Sequence, residues 1–137
     1  MIVGPEALAP TLNPSVLSTF RKALETAGIA VNSDVGELPL SPAQETVLAL
    51  ALREAVTNVV RHAHARRCDV RLQRSEDVCT LEIADNGRGA DAPEGNGLRG
   101  MRERLEALGG SLQRQTKPGT RLVIQLPLAH AASALRN

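Results

Sequence analysis

The sequence predicts an α+β sandwich, a mostly antiparallel sheet with its helices packed on one face. Three observations lead there. The strands come in consecutive pairs joined by short links, and such pairs are antiparallel hairpins. One long helix is apolar nearly all round, so it must be buried, most simply under a sheet. Strand–helix alternation throughout the chain, which a doubly wound parallel sheet needs, is absent. At 137 residues the chain holds one ordinary domain.

Residues 1–14 carry Gly4, Pro5, Pro10 and Pro14 and read as an irregular lead-in. A helix follows from Ser15, with Val16, Leu17, Phe20 and Leu24 on one side and Gly28 to close it. Ile29-Ala30-Val31 starts a short strand. Ser41-Pro42-Ala43-Gln44 is a strong helix start: Ser41 caps, Pro42 suits the first helical position, and Gln44 completes a capping box. This helix is expected to run to about Ala63. Cys68, Val70 and Leu72 alternate with polar residues, as do Cys79, Leu81 and Ile83, and Ser75-Glu76-Asp77 links the two strands. Asp85 to Gly97 is too rich in glycine for a regular element. A helix starts near Leu98 and ends at Gly109-Gly110. Leu112 to Thr116 and Arg121 to Leu126 form a second hairpin around Lys117-Pro118-Gly119. The domain thus spans 15–128, and the Ala-rich 129–137 reads as a frayed helical tail.

Composition removes several functions. Lys+Arg is 16 against Asp+Glu 15, a net charge of +1, which argues against a nucleic-acid or membrane-surface binder. Phe20 is the one aromatic residue, so there is no platform for stacking bases. Cys68 and Cys79 lack zinc-ligand spacing and read as reduced, core-facing thiols. No stretch is apolar for long enough to span a bilayer, and the N-terminal residues do not read as a signal peptide. The expected location is cytoplasmic, with no direct membrane contact from this chain.

Three features carry chemistry. Glu54 and Asn58 lie one turn apart on the buried helix, and helical phase puts Arg61 and His62 on the same face. Asparagine is a poor helix former and a buried carboxylate is costly, so both ask for a reason. Alone, the pair also reads as a face that reaches solvent, with Glu54 paired to Arg61. Asp85-Asn86-Gly87-Arg88-Gly89 follows an apolar strand directly: a carboxylate there can accept from an amine, and the glycines let a ligand approach the backbone. Alone, this also reads as a plain turn. Gly95-Asn96-Gly97-Leu98 precedes a helix, whose free N–H groups and dipole favour an anion. Neither the P-loop nor the dinucleotide-binding glycine pattern is met.

Taken together in this order and at these gaps, the three resemble the asparagine box and the two glycine boxes of the Bergerat-fold ATPases. Arg53-Glu54-Ala55-Val56-Thr57-Asn58-Val59-Val60-Arg61-His62-Ala63 is similar to the asparagine box of bacterial sensor histidine kinases of the NarX/DesK-like subfamily. The runs from Gly97 to Leu112 and from Pro118 to Leu128 carry the same likeness, which covers about 15–128. The resemblance implies a Bergerat-type α/β sandwich, a mostly antiparallel mixed sheet with helices packed on one face. It also implies an ATP-binding catalytic domain using Mg²⁺.

By that resemblance Asn58 holds Mg²⁺ between protein and phosphates, and Glu54 acts as base or polariser for the attacking group. Arg61 and His62 face the phosphates. Asp85 accepts from the adenine amino group. Gly87 and Gly89 let the ring pack against backbone. Gly95, Gly97, Leu98 and the N–H groups after them cradle phosphates, and 86–97 forms a mobile lid. Thr120 supports the adenine edge through a water. Where Asn96 stands the family often has a smaller residue.

The resemblance also implies partners. His62, His64 and His130 are each followed by alanine, and none lies on a long N-terminal helical hairpin, so the phospho-acceptor histidine is expected on a separate dimerisation domain. A response regulator is an indirect partner. The expected function is donation of the γ-phosphoryl of ATP to that histidine. The alternative is a stand-alone anti-sigma-factor serine kinase of the same superfamily. A non-enzymatic nucleotide sensor is a third reading.

Overall fold

The computed structural model describes residues 14–36, 38–89, 95–116 and 118–128. The lead-in, the centre of the expected lid at 90–94 and the tail with His130 lie outside the described residues. The first helix, α1 (Pro14–Thr26), buries Leu24 and leans Leu17 and Phe20 on the core. Gly28, at φ +83°, closes it: its N–H donates to the Glu25 carbonyl, and the Ile29 N–H reaches back to the Leu24 carbonyl. That is the paired-bond stop in which glycine takes the left-handed position.

Strand β1 (Ala30–Val35) runs longer than the sequence suggested and pairs in parallel with β2 (Arg67–Ser75), Ala30 opposite Arg67 through Val35 opposite Leu72. Helix α2 (Pro42–Asn58) begins as the sequence predicts. The Ser41 hydroxyl accepts from the Gln44 N–H at 3.1 Å, and the Gln44 side chain accepts from the Ser41 N–H at 3.0 Å. Its end differs from expectation. After Asn58 the chain widens into a π turn, Val59–Ala63, and stops at His64 in the left-handed conformation, φ 53°.

Strand β3 (Val78–Asp85) returns antiparallel to β2 through the turn at Glu76-Asp77, with Cys68 opposite Asp85. Helix α3 (Asn96–Ala107) starts two residues before the expected Leu98. It ends on the same paired-bond stop, with Gly109 at φ +79°. Strands β4 (Ser111–Gln115) and β5 (Thr120–Pro127) complete a mixed sheet in the order β1-β2-β3-β5-β4.

Burial alternates along the strands, as period-2 patterning requires. Cys68, Val70, Leu72, Cys79, Leu81, Ile83, Leu122, Ile124 and Leu126 point inward and are buried. Val47, Leu48, Leu52, Ala55 and Val56 of α2 and Leu98, Met101 and Leu105 of α3 form the opposing layer. The Gln44 amide donates to the Pro127 carbonyl, tying the start of α2 to the end of β5. On the open face of the sheet Glu82 and Arg121 pair across β3 and β5. No helix among the described residues is long and apolar enough to cross a membrane.

Candidate functional site

The sequence-predicted residues gather in two groups, one at the end of β3 and one between α2 and α3. Asp85 closes β3 with Cys68 opposite on one side and Thr120 on the other. It is 9% exposed, a position that a carboxylate does not hold without partners. Its Oδ1 accepts from the Gly87 N–H at 2.8 Å, and the Thr120 backbone N–H donates to it as well. Burial pushes its pKa above the usual carboxylate value, and these two hydrogen bonds pull the other way. The result is a fixed acceptor, held at the sheet end.

The glycines around it also shape the protein's own loops. The Gly87 N–H is engaged by Asp85. At Gly89, φ +76°, a Cβ would lie 1.9 Å from the Thr116 carbonyl oxygen and 2.9 Å from that of Gly119. Its missing side chain therefore admits the β4–β5 turn. Gly119, in the turn that joins β4 and β5, has φ +65°, and a Cβ there would meet the Asp85 carbonyl oxygen at 2.1 Å. The two loops mesh through these glycines. The signal in the sequence was the Pro118-Gly119-Thr120 order beside a strand that pairs with Asp85, which needed the strand order to interpret.

In the second group Glu54 is half-buried on α2 and touches the first turn of α3. A Cβ on Gly97 would stand 2.6 Å from the Glu54 carboxyl carbon. The glycine is what lets this carboxylate reach the helix start. Gly95 is the N-cap residue of α3 and has no side chain to cap it, and the first backbone bond is from the Arg99 N–H to the Gly95 carbonyl at 3.2 Å. The amides of Asn96, Gly97 and Leu98 precede that bond and point out of the helix end, where the dipole favours negative charge. Leu98 contributes its amide only, because its side chain is buried in the core. Asn96 is exposed at the first helical position.

Asn58 lies one turn after Glu54 on the same face, half-buried, at the last α-helical position, and makes no capping bond to the π turn. Arg61 and His62 fall in the π turn, whose wider winding departs from α-helical spacing. Arg61 is exposed, and among the described residues no ion pair joins it to Glu54. The His62 side chain lies outside the described part of the chain. His64 is exposed at the helix end. A cavity of about 310 Å³ under α1, lined by Leu17, Phe20, Val31 and Val56 among others, contains none of the predicted site residues.

The family described as histidine kinase-, DNA gyrase B- and HSP90-like ATPase matches residues 43–130. The chain belongs to this ATPase family. Within it, the ATPase domain is 37% identical over 117 residues to the sensor histidine kinase DesK of Bacillus subtilis, covering 81% of this chain and 32% of the relative. It is 35% identical over 123 residues to the signal transduction histidine-protein kinase/phosphatase UhpB of Salmonella typhimurium, covering 85% of this chain and 25% of that protein. The ATPase domain therefore spans about a third or less of these relatives. The NarX/DesK-like resemblance of the asparagine box accords with these relatives. Among solved structures, the histidine kinase domain of the Erythrobacter litoralis EL346 blue-light activated histidine kinase superposes with a TM-score of 0.76 at 18% identity, covering 93% of this chain and 65% of that one. That likeness bears on the fold, a Bergerat-type sandwich. The ATPase domain is thus a nucleotide-binding unit.

Proposed function

We propose that residues 15–128 form the Mg-ATP-binding catalytic unit of a sensor histidine kinase, which donates the γ-phosphoryl of ATP to a histidine on a separate dimerisation domain. The observation that carries this reading is the meeting of the Glu54 carboxylate with the uncapped start of α3 at Gly97. It brings a candidate polarising group to a helix end suited to phosphate.

Each residue then has a task its chemistry allows. Asp85 accepts from the exocyclic amine of adenine. Guanine offers a carbonyl at that position, which would oppose the carboxylate, so adenine is selected. The Gly87 and Thr120 amides keep the acceptor oriented. Thr120, opposite Asp85 across β3 and β5, supports the adenine edge through a water in this reading. The first amides of α3 receive phosphate oxygens. Arg61, and His62 by resemblance, add positive or donor character on the phosphate side. Glu54 polarises the attacking group.

No cluster of three or more His, Cys, Asp or Glu that could hold a metal ion occurs among the described residues. The single amide oxygen of Asn58 suits Mg²⁺, which keeps several waters and shares phosphate oxygens. Bound there, the ion would neutralise charge on the phosphates.

The test is a titration with Mg-ATP and Mg-GTP, followed by mixing with a histidine-bearing dimerisation domain and radiolabelled ATP. ATP at a hundred times its dissociation constant should stabilise the fold by about 2.7 kcal/mol, and so raise the melting temperature well above the effect of GTP. Acid-labile label should appear on the added domain's histidine, and Asn58→Ala should abolish it. Label on this chain's own histidines would overturn the reading. Acid-stable label on a serine of a small partner would support the anti-sigma alternative instead.

A further inference from the structure

Asn86 has no task in the site as described, although it follows Asp85 directly. Its side chain is exposed, yet its Oδ1 accepts two backbone hydrogen bonds, from the Arg66 N–H at 2.9 Å and the Arg67 N–H at 2.9 Å. Its own N–H donates to the Arg67 carbonyl at 3.2 Å. Arg67 is the first residue of β2, and the ladder between β2 and β3 ends at Cys68 opposite Asp85. One step further, the side-chain oxygen of Asn86 receives the amide that a main-chain carbonyl would take in a continuing antiparallel ladder. The backbone is thereby free to turn towards Gly87 while the pairing beside Asp85 stays closed. Arg66 is also bound on its other side, its carbonyl accepting from the Ala30 N–H at 2.8 Å. This short segment is what leaves the π turn after Asn58, by way of His64.

We propose that Asn86 is a positioning residue, which clamps the segment leaving the π turn to the end of β3 and so sets the geometry of Asp85. It joins the helix that carries Asn58 to the strand that carries the base-reading carboxylate. The part concerning nucleotide selectivity rests on the adenine reading of Asp85 given above. The part concerning Asp85 itself does not.

The experiment uses the full chain with Asn86→Ala, Asn86→Asp and Asn86→Gln. Aspartate retains an oxygen at the same reach, glutamine displaces it by one methylene, and alanine removes it. Dissociation constants for ATP and GTP are measured, together with the melting temperature and the NMR titration of the Asp85 carboxyl without nucleotide. In Asn86→Ala the ATP affinity should fall about tenfold, the scale of two ordinary hydrogen bonds. GTP affinity should change less, so the selectivity ratio narrows. Asn86→Asp should restore ATP affinity to within about twofold. The Asp85 carboxyl of Asn86→Ala should titrate nearer the ordinary carboxylate value, because water gains access to it. Should the alanine variant fail to fold, Asn86→Gln should show the same two changes. Equal losses for ATP and GTP with an unchanged Asp85 titration would overturn the proposal, as would an aspartate variant no better than alanine or glutamine. A parent protein without ATP preference, whose Asp85 titration nonetheless moves in the Asn86 variants, would sustain the clamp and remove the adenine reading.

Discussion

Gly119→Ala tests the meshing of the two loops most directly. At φ +65° an alanine must adopt the left-handed conformation, which costs about 1–2 kcal/mol. The new Cβ would also sit 2.1 Å from the Asp85 carbonyl oxygen and 3.1 Å from its carbon, with the Asn86 Cα at 3.4 Å. These are main-chain atoms paired in the sheet, so no side chain can swing aside. The turn must move by about 1 Å to recover van der Waals contact, and overpacking of this kind costs about 1–3 kcal/mol. The total, about 3 kcal/mol, is a large share of the ~5–15 kcal/mol that stabilises a domain and corresponds to roughly 10 °C in melting temperature. Gly28→Ala is the matched comparison. It has the same backbone requirement at φ +83° and nothing within 4 Å of its Cβ, so only the conformational cost of about 1–2 kcal/mol applies. Differential scanning calorimetry of the two variants separates contact from conformation, and ATP titration shows whether Asp85 has moved. Equal melting temperatures for Gly119→Ala and Gly28→Ala would refute the argument from close approach.

Gly97→Ala places a methyl group where the Glu54 carboxylate now lies, and that flexible side chain will yield. The fold and ATP affinity should persist while phosphoryl transfer to an added dimerisation domain falls on the order of a hundredfold, the penalty of misplacing a reacting group by ~1 Å. Full transfer by this variant would count against Glu54. Because burial raises the Asp85 pKa above its unfolded value, the folded state holds more protons in that interval, and this group's contribution to stability falls as pH rises through it. The melting temperature of Asp85→Asn relative to the parent should therefore climb with pH just above the ordinary carboxylate value; a constant difference would contradict the assignment. Burial, with the nearby charges of Asp85 and Asp69, pushes the Cys68 thiol up to about 12, and burial pushes Cys79 to about 11. Iodoacetamide at pH 8 should leave both unmodified in the folded protein and alkylate both in denaturant, and rapid labelling of native protein would show that the thiols are open.

The elements with a strong periodic or capping signal were legible in the sequence. The box at Ser41 and Gln44 forms with both of its bonds, and the alternating residues of β2 and β3 are buried where the pattern put them. What escaped notice depends on tertiary geometry. Asn32, Ser33 and Asp34 look like loop residues because an edge strand needs only backbone pairing on one side. The π turn after Asn58 leaves no pattern in Val59-Val60-Arg61, since periodicity assumes the spacing it is used to find. At the site, Asp85 and Glu54 stood out as carboxylates in apolar runs. The contact between the loops of Gly89 and Gly119 was not legible, because only the strand order β3-β5 reveals that they press on each other.

The polarity that hides β1 has a second effect. Its outer side presents backbone donors and acceptors that β2 does not use, and such an edge is a template for joining another sheet. Asn32, Ser33 and Asp34 are all exposed there, and one carries a charge. From α1, Arg21 grips the strand, donating to the Ser33 hydroxyl at 2.8 Å and the Val31 carbonyl at 3.1 Å. Replacing the three polar residues with valine or isoleucine would make β1 obvious to any pattern reading and would also expose a flat, sticky margin. A variant chosen for stronger strand propensity here would gain it at the expense of solubility.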